Sequence, residues 1–182
     1  MTTSWFRWAE SAAPLSETRH RPFVERSGDG EAVLFIHGTV ISGRSTWRAQ
    51  RPLSARWQVQ VLERRGYPPN PAVEREDFRE DAEDVKALLS AAPAHLVAHS
   101  YGAVGARCSR CAGPGQITDR RRAGGHHAAF DAACRELAVR ANASLITLTG
   151  RGHSPQQLGE EFNTVLEKSL RGGSLPSATR RT

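Results

Sequence analysis

Residues 96–103 read Leu96-Val97-Ala98-His99-Ser100-Tyr101-Gly102-Ala103. A short apolar run of strand type leads into a serine, and the chain from Tyr101 onward has helical character. A strand that passes through a serine directly into a helix is the context of a nucleophile elbow. Its tight turn lifts the hydroxyl above the sheet edge and aims a helix N-terminus at it. Such a turn brings the chain close to itself, so the positions two before and two after the serine must be small. Here they are Ala98 and Gly102. A serine in front of a helix can also be an ordinary cap. The strand before it favours the elbow, with Ser100 as candidate nucleophile.

Two segments further out complete the pattern. Residues 32–36, Ala-Val-Leu-Phe-Ile, form a continuous apolar run that suits a strand buried on both faces of a parallel sheet. It ends in His37-Gly38-Thr39. Gly38 lets the backbone turn, so that the amide of Thr39 can face a substrate, with the amide of Tyr101 as the second oxyanion donor. His37 and Gly38 are the candidate substrate-binding residues. The His37 side chain also reads as a strand-end histidine that holds the loop by hydrogen bonds. Toward the other end, residues 143–149 read as a strand followed by Gly150-Arg151-Gly152-His153-Ser154-Pro155. The glycines release the chain and leave His153 just before a helix, placed as a candidate general base. The order Ser100 then His153 differs from the chymotrypsin and subtilisin orders.

The remaining pattern frames these segments. Residues 21–26 read as a short strand, Gly28-Asp29-Gly30 as a turn, and residues 57–62 as a strand closed by a non-helical proline-rich stretch, 65–71. Residues 75–92 read as a helix with Phe78, Ala82, Val85, Leu88 and Leu89 on one face. Glu76, Asp77, Glu80 and Asp81 fall in or near its first turns and read as a solvated acidic face that suits the helix dipole. Residues 95–98 form a strand. Residues 128–141 read as a helix with Phe130, Cys134, Leu137 and Ala141 on one face. Residues 155–170 form a helix with Leu158, Phe162, Leu166 and Leu170 at spacing four. Strands alternating with helices predict an α/β fold with a largely parallel sheet and flanking helices. Residues 1–20 read as a lead-in segment, 21–170 as the domain, and 171–182 as a disordered tail.

These motifs together resemble the α/β-hydrolase superfamily, most of all its small bacterial esterase-like members. The resemblance covers segments 32–105 and 124–170. It is carried by Val33-Leu34-Phe35-Ile36-His37-Gly38, Arg64-Arg65-Gly66-Tyr67, Ala98-His99-Ser100-Tyr101-Gly102 and the stretch around His153. It implies hydrolysis of an ester-like bond in a small molecule through an acyl-enzyme. Ser100 would be nucleophile, His153 general base, and the amides near Thr39 and of Tyr101 oxyanion donors, with no metal or organic cofactor. An epoxide hydrolase or dehalogenase is disfavoured, because those members carry an aspartate where Ser100 stands. A cofactor-free haloperoxidase would use the same triad and stays open.

The chain departs from the family pattern in its middle. The acid of the triad has no carboxylate in the matching loop, 124–130, and Asp131 at the start of the next helix is the nearest candidate. Residues 107–123 read as irregular, where full members place a lid and further strands. The expectation is a fold without its lid and without one or two central strands, through a deletion or a stretch read out of frame. Ile-Thr-Asp-Arg-Arg-Arg at 117–122, written ATC-ACT-GAC-CGT-CGT-CGA, reads one base on as Ser-Leu-Thr-Val-Val and an acidic residue. The competing function is therefore an inactive remnant or an interaction module, with oligomeric state open.

Composition narrows the class. At 182 residues, 38% hydrophobic and 24% charged, the chain suits one globular domain. No apolar run reaches the ~18–20 residues that span a bilayer, the first residues do not read as a signal peptide, and three cysteines suit reduced thiols in a cytoplasm. The net charge is +6, but only Lys86 and Lys168 among 25 basic residues are lysines, and the arginine clusters are dispersed. With no aromatic-plus-basic motif, nucleic acid is not the expected partner. Cys108-Ser109-Arg110-Cys111 lacks the second ligand pair of a zinc site, and the adjacent His126-His127 does not supply it.

Overall fold

The computed structural model of the chain describes residues 21–108, 116–121, 135, 136, 139, 144–149 and 154–172. Strands β1 (Val24–Ser27), β2 (Glu31–Ile36), β3 (Trp57–Leu62) and β4 (His95–Ala98) form one sheet in the order β1-β3-β2-β4. β2 pairs in parallel with both β3 and β4, and β1 runs antiparallel along β3. The chain thus moves from β2 to one neighbour and then crosses to the other. Right-handed crossovers in opposite directions place their connections on opposite faces. Helix α1 (Gly43–Thr46) and the 3₁₀ helix Arg48–Ala55 connect β2 to β3 on one face. Helix α2 (Phe78–Ala91) connects β3 to β4 on the other and is joined there by α3 (Tyr101–Cys108).

The side-chain alternation of the strands builds two cores. Val33, Phe35, Val59 and Val61 point to the first face, under Trp47, Leu53, Phe162 and Leu166. Leu34, Ile36 and Leu62 point to the second, under Val85 and Ala106. The run 33–36 is buried throughout, as a central parallel strand requires. The helix over residues 155–170 divides at Gly159, whose φ is +59°. A 3₁₀ turn, Pro155–Leu158, precedes helix α4 (Glu160–Leu170), which carries Phe162 and Leu166. Gln50 anchors this end of the chain: its Nε2 donates to the Gln156 carbonyl and to Asn163 Oδ1, each at 3.0 Å.

The expectation that 107–123 are irregular needs correction. Strand β5 (Gln116–Arg121) lies inside that range and pairs in parallel with β6 (Ser144–Thr149) in a separate two-stranded ladder. Pairing with a strong strand partner overrides the poor local pattern of Gln-Ile-Thr-Asp-Arg-Arg. Among the described residues β4 ends the first sheet, and no strand joins the two ladders. The expected helix over 128–141 and the segments 1–20 and 173–182 lie outside the described residues, apart from 135, 136 and 139.

Candidate active site

The register of the first sheet brings the two key loops together. Ile36 on β2 pairs with Ala98 on β4, and the ladder continues one step through His99 N–H to the Ile36 carbonyl at 3.0 Å. Two residues further along each strand are Gly38 and Ser100. The carboxyl ends of two strands where the chain reverses direction form the crevice in which open α/β sheets place their ligands.

Ser100 stands at the turn between β4 and α3, exposed, with φ of +53°. A non-glycine residue in the left-handed region is strained and marks a backbone held there by its surroundings. A capping serine has an extended backbone instead. The chain comes close to itself on both sides of the serine. A Cβ added to Gly102 would lie 2.3 Å from the His37 carbonyl oxygen, and one added to Gly38 would lie 2.9 Å from Ser100 Cβ. Only glycine fits at either position, so the loop after β2 rests directly against the serine.

That loop is fixed from below. His37 has 0% exposure. Its Nδ1 donates to the Gly38 carbonyl at 2.8 Å, and its Nε2 accepts the Arg64 amide at 3.0 Å. Burial, helped by the charge of Arg64, lowers its pKa to about 4, so the ring is neutral with its proton on Nδ1. Both ring nitrogens are committed and the side chain does not reach solvent. Through these contacts the His37 side chain holds the loop. The Val40 amide donates to Tyr67 Oη at 3.0 Å, in a residue with φ of +76° that is 90% exposed. No hydrogen bond from the amide of Thr39 or of Tyr101 is found among the described residues.

Beneath the loop lies a buried ionic cluster. Arg64, 1% exposed, donates from Nη1 to the Gly38 carbonyl at 2.8 Å, from Nε to Asp81 Oδ2 at 2.9 Å and from Nη2 to Glu76 Oε2 at 2.8 Å. Its guanidinium carbon sits 4.5 Å from the centre of the Tyr101 ring. Burial works against the Arg64 charge, but the hydrogen bonds and charges of Glu76 and Asp81 outweigh it and hold its pKa above the ordinary value. Partial burial would raise Glu76, yet hydrogen bonds from Arg64 and Tyr67 keep its carboxyl below the usual range. Arg65 grips Asp84 with two hydrogen bonds of 2.7 and 2.8 Å.

The acidic residues of α2 are therefore not simply a solvated face: Asp81 is 4% exposed and Asp84 is 6% exposed, both spent on arginines that follow β3. A helical wheel carries the signal, because Asp81, Val85 and Leu88 fall at the four- and three-residue spacing of the inner face. Glu63 is a further buried acid. Its buried carboxylate accepts the amides of Gly43 and Arg44 at 2.7 and 2.8 Å and satisfies the first turn of α1.

Of the expected site residues, the structure assembles Ser100, Tyr101, His37, Gly38 and Thr39 at one sheet edge. His153 and Asp131 lie outside the described residues, although residues 154–172 are described and Gln156 is buried beside Gln50. Among the described residues no group of three His, Cys, Asp or Glu side chains could hold a metal ion. No described helix is long and apolar enough to cross a membrane.

The profile of the Alpha/beta hydrolase family matches residues 33–124, just over half of the 182 residues. The chain belongs to that family. A comparison with curated proteins finds no match. Solved structures similar to the chain include an epoxide hydrolase from Vigna radiata, 28% identical over 51% of this chain and 35% of that one, with a TM-score of 0.44. A thermophilic esterase from Thermogutta terrifontis is 25% identical over 65% of this chain and 47% of its own, with a TM-score of 0.46. A marine microorganism esterase is 16% identical over 66% and 49% of the two chains, with a TM-score of 0.45. The chain thus spans about a third to a half of the length of these proteins.

Proposed function

We propose that the protein is a serine hydrolase that cleaves ester-like bonds in a small molecule through an acyl-enzyme. The observation that carries this reading is the backbone of Ser100, held at φ +53° between β4 and α3 with Gly38 packed against its Cβ. In this reading Ser100 Oγ attacks the carbonyl carbon while His153 takes its proton. The carbonyl electrons become an alkoxide that the amides of Thr39 and Tyr101 stabilise. The alkoxide collapses, the alcohol leaves with the proton returned by His153, and water repeats the sequence to release the acid. Asp131 is the candidate that orients His153. No cofactor takes part. Serine rather than aspartate at position 100 favours an ester over an epoxide as substrate.

Intact mass after incubation with a fluorophosphonate tests this. A single adduct is expected on the wild type and none on Ser100→Ala, with slower labelling of His153→Ala. A folded wild type that gains no adduct would mean that the serine is not activated and that the chain is an inactive remnant.

A further inference from the structure

Resting on the serine-hydrolase reading, we propose that Arg64 is the positioning residue of the oxyanion hole, with one guanidinium fixing both backbone segments whose amides would bind the oxyanion. The first segment is the loop after β2. Arg64 Nη1 and His37 Nδ1 both donate to the Gly38 carbonyl, each at 2.8 Å. In a trans peptide the carbonyl and the following N–H point in opposite directions. Drawing the Gly38 oxygen inward to Arg64 therefore turns the Thr39 N–H outward. The next amide, that of Val40, is already taken by Tyr67 Oη.

The second segment is the start of α3. The Tyr101 ring lies over the Arg64 guanidinium at 4.5 Å, a contact that ties the residue after Ser100 to the same cation. The head group is itself immobilised. Its other donors bind Asp81 on α2 and Glu76 before it, and Glu76 also accepts the Tyr67 hydroxyl that holds Val40. A planar fork can serve the carbonyl, two carboxylates and a ring face at once, whereas a lysine ammonium cannot. Arg65 provides the contrast. It joins the same loop to the same helix through Asp84 and Glu80, and none of its hydrogen bonds goes to the oxyanion loop or to Tyr101.

The test compares the full chain with Arg64→Lys, Glu76→Gln and Arg65→Lys, each checked for cooperative unfolding. Two quantities are read: steady-state hydrolysis of p-nitrophenyl acetate, and affinity for a trifluoromethyl ketone. Ser100 Oγ would add to the ketone carbon and leave its oxygen as an alkoxide in the hole. Arg64→Lys is expected to lower kcat roughly tenfold to a hundredfold with KM unchanged, and to weaken ketone binding by the same factor. Arg65→Lys should change neither. Equal losses in both lysine variants, or none in Arg64→Lys, would overturn the proposal. If Arg64→Lys does not fold, Glu76→Gln carries the same readouts at a smaller factor, and unchanged kcat and ketone affinity there would overturn it. A wild type that neither turns over ester nor takes the fluorophosphonate sinks the serine-hydrolase reading alone. The amide NMR shifts of Thr39 and Tyr101 then decide: movement of both in the mildest folded variant of the Arg64 cluster, but not in Arg65→Lys, supports the positioning role, and no movement overturns it.

Discussion

At φ +53° the Ser100 backbone lies where a Cβ costs about 1–2 kcal/mol and glycine costs nothing sterically. Two substitutions that both remove the hydroxyl should therefore separate. Ser100→Gly is expected to be about 1 kcal/mol more stable than Ser100→Ala in urea unfolding. For a capping serine with extended backbone the small difference would reflect the greater entropy of unfolded glycine, so an alanine variant as stable as the glycine variant would rule out the strained elbow. His37 makes a second prediction at this scale. Its folded pKa of about 4 lies below the ordinary 6.5, so between those values the unfolded chain binds a proton that the folded chain does not. Stability is then constant above about pH 6.5 and falls as pH drops toward 4, by up to about 3 kcal/mol. His37→Gln keeps a donor and an acceptor but cannot titrate. The stability advantage of the wild type over it should shrink from pH 7.5 to pH 5, and parallel curves would show that His37 is not the group responsible.

The helix α2 shows how one element can be legible and misread at once. Its apolar stripe gives its place and its inner face, and Ala82 and Val85 are buried as that stripe requires. Its acids do not follow the same rule. Burial of a carboxylate depends on a partner more than a dozen residues away, and Arg64 and Arg65 become visible as partners only once β3 and α2 are packed side by side. The energetic contrast within the helix is testable. Asp81→Asn leaves Arg64 short of its most buried carboxylate and should cost about 3 kcal/mol. Glu83→Gln, on an exposed side chain 3.8 Å from Lys86, should cost less than about 0.5 kcal/mol. Similar losses from both, measured by thermal or urea unfolding, would remove the cluster as a structural centre. Strand β5 was not legible for a different reason. Its stability comes from the ladder with β6, and nothing in its own residues alternates.

Across the whole molecule, the alternation of strands and helices was enough to give the α/β class, and the strand order explains why the site lies at one edge. Loops from β2 and β4 meet because those strands are neighbours in register, although some sixty residues separate them in the chain. The candidate base and acid were legible only as residue types on suitable segments. Placing them depends on tertiary pairing that short-range patterns do not encode. The bond from Gln50 to Asn163 joins residues 113 apart, and Phe162 and Leu166 close the core over β2 and β3. During synthesis the ribosome releases all four strands of the first sheet long before α4 appears. On the face bearing Val33, Phe35, Val59 and Val61, Trp47 and Leu53 are then in place, but the part that Phe162 and Leu166 close stays open until late in translation. Until α4 leaves the exit tunnel, the nascent sheet presents that part of its apolar surface to whatever surrounds it.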